Sequence, residues 1–183
     1  GECHYVTEGN YDALGNMHLC KKLLQLIGLN PDRMRLEWTA ASEGNRFAEV
    51  MSEFAGRLRE LGPLGSEGDI DQAALQLRLR AASQLVPYLK LVEREKLRVP
   101  TRSEEAYNEF FSSDAVNALF HEVIAEKLAI SQILLTLREK PLSTGEISEA
   151  LDLNPSEVSR HMNSSSRQGF VKYDVEGKRY VLA

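Results

Sequence analysis

Helix caps and stops confine the last third of this chain more tightly than any other feature of the sequence. Ser143 and Glu146 stand three residues apart. At that spacing a serine hydroxyl accepts from the glutamate amide while the carboxylate reaches back to the serine amide. Ile147 and Leu151 follow at helical spacing, on the side that would be buried. Asn154 before Pro155 reads as the next helix start, because proline at the first helical position gives up an amide that has no partner there anyway. Val158 and Met162 turn inward from that helix, and Gly169 ends it. Upstream, Ile133, Leu134 and Leu137 close a helix near Lys140-Pro141. Downstream, Phe170 to Val175 and Arg179 to Leu182 flank a Glu176-Gly177-Lys178 turn, the pattern of a hairpin. Three helices and a two-stranded wing predict a winged helix-turn-helix over residues 131–183.

The third helix of that unit would turn Ser156, Ser159, Arg160, Asn163 and Arg167 outward. Arginine and asparagine can read base edges, and serine can contact phosphate. Val158-Ser159-Arg160-His161-Met162, with Gly169-Phe170-Val171, resembles the recognition helix of small bacterial repressors of the arsenic-sensor or multidrug-sensor type. Two positions depart from that pattern: Ser165 stands where it buries a leucine, and Asn163-Ser164 stand where basic residues are usual. Seven Lys/Arg and seven Asp/Glu cancel over 131–183. A DNA-binding surface neutralises several phosphates with an excess of positive charge. The segment is therefore expected to dock protein, with duplex binding through those five residues as the alternative. His161 is expected to pack inward. The four histidines, at 4, 18, 121 and 161, show no ligand spacing, so a zinc site is not expected.

The first 64 residues read differently. Cys3 lies in a glycine-flanked run, Gly1-Glu2-Cys3-His4-Tyr5, ahead of a helix from Asn10 to Ile27. Leu14, Met17, Cys20, Leu23, Leu24 and Ile27 share a stripe of that helix, and Gly28 is placed to end it. Arg33 to Thr39 alternates Met34, Leu36 and Trp38 against Arg35 and Glu37, which predicts a strand with one buried face. Trp38 is expected in a core or interface. Ser42 is expected to cap a following helix, and Ser42-Glu43-Gly44 reads as that cap rather than as an anion site, which Glu43 opposes. Phe47, Val50, Met51, Phe54, Leu58 and Leu61 form the apolar face of this helix, stopped at Gly62-Pro63. Helix–strand–helix fits the tail of a parallel αβ sheet. One strand cannot make a sheet, so the segment is expected to be the second part of a larger unit. A lone loop cysteine can be a plain thiol or a cluster ligand, and spacing does not separate the two. Cys20, on the apolar stripe, is expected to be a small buried thiol.

A resemblance bears on that choice. Gly-Glu-Cys-His-Tyr with Gly9-Asn10-Tyr11, Leu23-Leu24 with Ile27-Gly28, Arg33 to Trp38, Ala41 to Gly44 with Phe47-Ala48, and Leu61 to Leu64 occur in one order. Together they resemble the delta subunit of methyl-viologen-reducing hydrogenase, a family found alone or fused to heterodisulfide reductase subunits. The resemblance implies a flavodoxin-like domain with a 2Fe–2S cluster that passes electrons between a hydrogenase or formate dehydrogenase and a heterodisulfide-reductase-type flavoprotein. It makes Cys3, the last cysteine of the G-[DE]-C-H-Y run, a cluster-ligand candidate. The family's other cysteines lie upstream of that run. The present 183 residues are thus expected to hold no intact cluster by themselves, and the cluster to belong to a longer parent.

Residues 65–130 open on Gly65-Ser66-Glu67-Gly68 and continue as helical pattern broken at Pro87 and Pro100, with helices from Asp69, Ser103 and Asp114, a helical connector. The fold class expected is an α/β fragment (the C-terminal part of a flavodoxin-like domain, 1–64), a mostly α connector (65–130) and a winged helix-turn-helix (131–183). A formal charge of −5 gives no general support to nucleic-acid or anionic-membrane partners. No apolar run approaches the roughly 20 residues of a membrane span. Two cysteines make no disulfide framework, so a reducing cytoplasm is the default expectation. No nucleophile elbow, P-loop or H-E-x-x-H occurs, and Glu93, Glu95, Glu104 and Glu105 read as solvated charges. The function expected is electron transfer within an oxidoreductase complex, not bond-making catalysis.

Overall fold

The computed structural model describes residues 9–66 and 71–183. Cys3, His4 and Tyr5, and most of the expected linker after Gly65, lie outside the described residues. Among those described the chain is mostly helical, with one two-stranded antiparallel sheet. It divides into two compact units, one of residues 1–75 and 91–119, the other of 76–90 and 120–183, so the segment 65–130 is shared between them.

In the first unit, α1 (Gly9–Leu26) stops where the sequence places the stop. Gly28 takes φ 87°, a conformation that a Cβ would penalise. Its amide reaches the Gln25 carbonyl at 3.0 Å, and the Leu29 amide reaches Leu24 at 2.9 Å. These two bonds satisfy carbonyls that the helix end would otherwise leave open. The buried side of α1 is Leu14, Gly15 and Leu19. Cys20 is half-buried rather than buried. Helix α4 (Glu104–Ser112), capped by the Ser103 hydroxyl as expected, packs on α1 through aromatic rings. The His18 imidazole stacks on Phe111 at 5.0 Å between centroids.

Two further expectations for the first unit are corrected. Residues 34–40 form no strand, although Met34 is extended at φ −124°, ψ 131°. A strand is completed by a neighbour's hydrogen bonds, and among the described residues none pairs with this stretch. Ser42 does not cap α2 (Gly44–Leu61): the N-cap is Glu43, and its carboxylate accepts instead from the Ala40 amide at 2.7 Å.

Several polar groups tie helix α2 to residues 31–37. The Arg33 guanidinium donates to the carbonyls of Leu61, Gly62 and Pro63 at 3.1, 3.0 and 2.9 Å, satisfying acceptors at the helix end. Arg35 joins Glu37 and Glu53, and Arg57 joins Asp32 and Glu60. The apolar stripe is covered only in part, with Val50, Phe54, Leu58 and Leu61 half-buried. No residue of α2 is buried, and Phe47 and Met51 are 56% and 49% exposed; Trp38 is exposed as well.

Helix α3 (Gln72–Lys96) is capped by Asp71 and runs through Pro87, which the sequence marked as a break. An interior proline removes a hydrogen bond and costs about 3 kcal/mol. Leu85, Leu89 and Val92, buried on one stripe around it, offset that cost. Helix α5 (Asp114–Phe120) passes through one π-helical turn, His121–Ala125, directly into α6 (Glu126–Glu139).

The second unit closes over one core. Ile133 and Leu137 of α6, Ile147 and Leu151 of α7 (Thr144–Leu151), and Val158 and Met162 of α8 (Pro155–Arg167) meet Leu142 and Val171. Every inward residue assigned from the sequence is there except Leu134, which is only partly buried. Ser143 and Glu146 form the expected capping box, with bonds of 2.7 and 3.3 Å. Asn154 caps α8 through the Ser156 amide at 2.9 Å. Gly169, at φ 76°, lets the Phe170 amide return to Ser165 at 2.9 Å and turns the chain into the wing. Strands β1 (Val171–Asp174) and β2 (Arg179–Leu182) pair antiparallel, Val171 opposite Leu182 and Asp174 opposite Arg179. Leu142 bridges to Tyr180 beside them. Three helices, a hairpin and this bridge are compatible with a winged helix.

Candidate functional site

Side chains that the sequence turned outward on α8 do share one face. Ser156, Ser159, Arg160, Asn163 and Arg167 are all exposed, and with Ser164 and Gln168 they line one open depression along the helix. The face exists because Val158, Met162 and Ser165 occupy the opposite stripe, so the polar positions fall outside by helical geometry. Its hydroxyls are partly spent locally: Ser159 Oγ donates to the Pro155 carbonyl at 2.9 Å, and Gln168 Nε2 donates to Ser164 Oγ at 3.0 Å. Arg160 and Arg167 make no ion pair among the described residues and stand about two turns apart. Sequence reasoning passed over Ser164 and Gln168 as members of this face. Their spacing from Arg160, four and eight residues, was the signal that would have found them.

Charges beside this face are mixed. Glu157 sits in the first turn of α8, and Glu149 and Asp152 lie exposed at the α7 end. The wing exposes Asp174 and Glu176 together with Phe170, Tyr173 and Val175. Tyr173 packs edge-on against Tyr180, its cross-strand partner, at 5.0 Å. Arg179 in β2 pairs with Glu146 at 2.8 Å and so fastens the wing to α7. The Ser143 amide, then its hydroxyl, hold the Glu146 carboxyl below the usual range, with smaller help from Arg179 and Lys140. That contribution to stability is present above the ordinary glutamate range and is lost as pH falls through the lowered value. A duplex lying in α8's groove would bring phosphates near these acids. A protein surface can match such a mixture of two arginines, flanking carboxylates and exposed rings.

Cys3, the cluster-ligand candidate, lies outside the described residues. Cys20 is the one free thiol among those described. No group of three or more His, Cys, Asp or Glu residues among the described residues could hold a metal ion. No helix among them is long and apolar enough to cross a membrane.

Comparison with known proteins falls into the same two parts as the structure. Residues 1–62 match the family model of the methyl-viologen-reducing hydrogenase delta subunit, and residues 131–173 match that of the bacterial regulatory proteins of the arsR family. An iron-sulfur subunit of the F420-non-reducing hydrogenase of Archaeoglobus profundus is 54% identical over 67 residues, 37% of this chain and 48% of that protein. One of the subunits of the ferredoxin:CoB-CoM heterodisulfide reductase of Methanosarcina mazei is 47% identical over 66 residues, 36% of this chain and 8% of that protein. An iron-sulfur subunit of the F420-non-reducing hydrogenase vhu of Methanopyrus kandleri is 34% identical over 64 residues, 35% of this chain and 48% of that protein. The chain thus spans about half the length of these two hydrogenase relatives. No solved structure matches it.

Proposed function

We propose that residues 1–62 belong to an iron–sulfur electron-transfer subunit, with Cys3 as one thiolate ligand of a 2Fe–2S centre. Its partners would be a hydrogenase or formate dehydrogenase and a heterodisulfide-reductase-type flavoprotein. One observation carries the reading: the same stretch, of 66 or 67 residues, recurs in a hydrogenase iron-sulfur subunit and within a heterodisulfide reductase subunit. A sequence shared by both sides of an electron transfer suits a module that links them.

The described residues supply no ligand set for such a centre. The sequence has two cysteines, and Cys20 sits half-buried on α1 among packing residues. The centre would therefore take its remaining ligands from polypeptide outside these 183 residues. When bound, a cluster supplies one-electron carriage, which protein side chains do not offer. The chain's own part would be to hold one ligand and to dock. The exposed Phe47 and Met51 of α2, and the lack of a strand partner for residues 34–40 among the described residues, support this assignment. A sheet of the flavodoxin-like kind would take 34–40 as a strand and be covered by α2, burying Phe47, Val50, Met51 and Phe54. The winged helix would dock the subunit within the complex. The test is to assemble the complex anaerobically with and without this chain. Hydrogen- or formate-driven reduction of the flavoprotein should fall to background without it, and an undiminished rate would refute the linking role.

A second reading rests on the α8 face and the arsR-family match: the 131–183 unit binds duplex DNA. On the docking reading, the whole chain shows no binding to random duplex between about 50 and 200 mM salt. A log–log salt slope of several charges would establish the DNA reading instead.

A further inference from the structure

We propose that His161 and Glu126 form a pH-operated latch that sets how firmly α8 is seated on α6. His161 is turned inward on α8 and only 3% exposed. Its Nδ1 finds no hydrogen-bond partner among the described residues and lies 3.9 Å from Glu126 Oε1. Glu126 opens α6 with a half-exposed side chain, free to close that distance. One turn along α8, Ser165 is 1% exposed, and its hydroxyl likewise has no partner among the described residues. The inner stripe of α8 thus alternates Val158 and Met162, which pack, with His161 and Ser165, whose Nδ1 and Oγ are buried without a partner among the described residues. An unpaired buried polar group is costly, because it has given up its bonds to water. Of the two, only the imidazole can gain a partner by titrating.

The charged groups that act on the ring are Glu126 from α6 and Arg160 and Glu157 on α8 itself. The other elements around α8 bring apolar residues to the core: Ile147 and Leu151 from α7, Val171 from β1 and Leu77 from α3. Burial, and then Arg160, hold the imidazole below the ordinary histidine value of 6.5, while Glu126 and Glu157 oppose them. The sign follows. With a lowered folded value, the neutral ring's share of stability is complete above 6.5 and is lost as pH falls through the folded value, because the unfolded chain takes the proton first. Once protonated in the folded chain, both ring nitrogens are donors, so Nδ1 carries a proton that the Glu126 carboxylate can accept, on a ring that is now positively charged. The imidazolium is then a second positive charge next to Arg160 in the chain, so binding at the α8 face would depend on pH.

The test uses the whole chain. The His161 ring is titrated by NMR, and thermal unfolding is followed from pH 7.5 to 5, in wild type, Glu126→Gln and His161→Phe. Wild-type His161 should titrate below free histidine. Glu126→Gln should lower the midpoint further and steepen the loss of stability on acidification, with the folded-to-unfolded ratio changing about tenfold for every whole pH step by which the midpoint moves. His161→Phe should remove that part of the acid limb. The same His161 midpoint in wild type and Glu126→Gln overturns the latch, and that comparison stands alone if His161→Phe fails to fold.

Discussion

Replacing Met51 with aspartate is expected to leave the isolated chain's stability nearly unchanged and to weaken its assembly at least about 100-fold, about 2.7 kcal/mol. Both halves follow from one fact. Met51 is half-exposed on a helix none of whose residues is buried, so the chain's own fold has little packing to lose there. Exposed substitutions of this kind usually fall within about 0.5 kcal/mol. Against a sheet, however, the same position becomes part of an apolar interface. A carboxylate placed there must be dehydrated without a partner, which costs several times more than the lost methionine contacts. Phe47→Asp should behave alike. Glu49→Gln, at an exposed charged position outside the apolar stripe, is the control and should bind normally. If Met51→Asp and Glu49→Gln assemble equally well, α2 is not laid against a sheet and the flavodoxin-like reading of residues 1–64 loses its structural support.

How much of this was legible in the sequence depended on whether a segment finds its partners within its own unit. Residues 131–183 were readable almost residue by residue. Their signals are local, a capping box at Ser143 and Glu146 and a left-handed stop at Gly169, and they coincide with the stripe Ile147, Leu151, Val158 and Met162 that the structure buries. Residues 34–40 show the opposite case. Their alternation of apolar and charged residues reads as a strand, but a strand depends on a neighbour, and none is present among the described residues. Trp38 is exposed for the same reason. Pro87 misled because a proline's cost is local while the gain from burying Leu85, Leu89 and Val92 is tertiary. Ser42 was displaced as a cap by Glu43, which bonds Ala40 in a turn that the sequence did not announce.

The α8 face was foreseen, since amphipathic spacing determines which side chains point outward. What such a face binds is a different matter. Two arginines among serines serve a phosphate backbone or a carboxylate-bearing protein equally well. The thiols were the least legible. Spacing does not separate a ligand thiol from a plain one, and a half-buried Cys20 on α1 shows that a helical stripe does not guarantee full burial.

Cys3→Ser is the substitution with the largest expected effect, because loss of a cluster ligand is close to all-or-none. A serine alkoxide is a harder, far more basic donor than a thiolate, and iron in such clusters is held by soft sulfur. The direct measurement is low-temperature EPR and iron analysis of the dithionite-reduced complex carrying wild-type chain, Cys3→Ser or Cys20→Ser. Wild type and Cys20→Ser should share a 2Fe–2S signal that is lost or strongly altered in Cys3→Ser, with up to about two irons missing per chain. The same signal and iron content in Cys3→Ser as in wild type would contradict the assignment of Cys3 as a ligand.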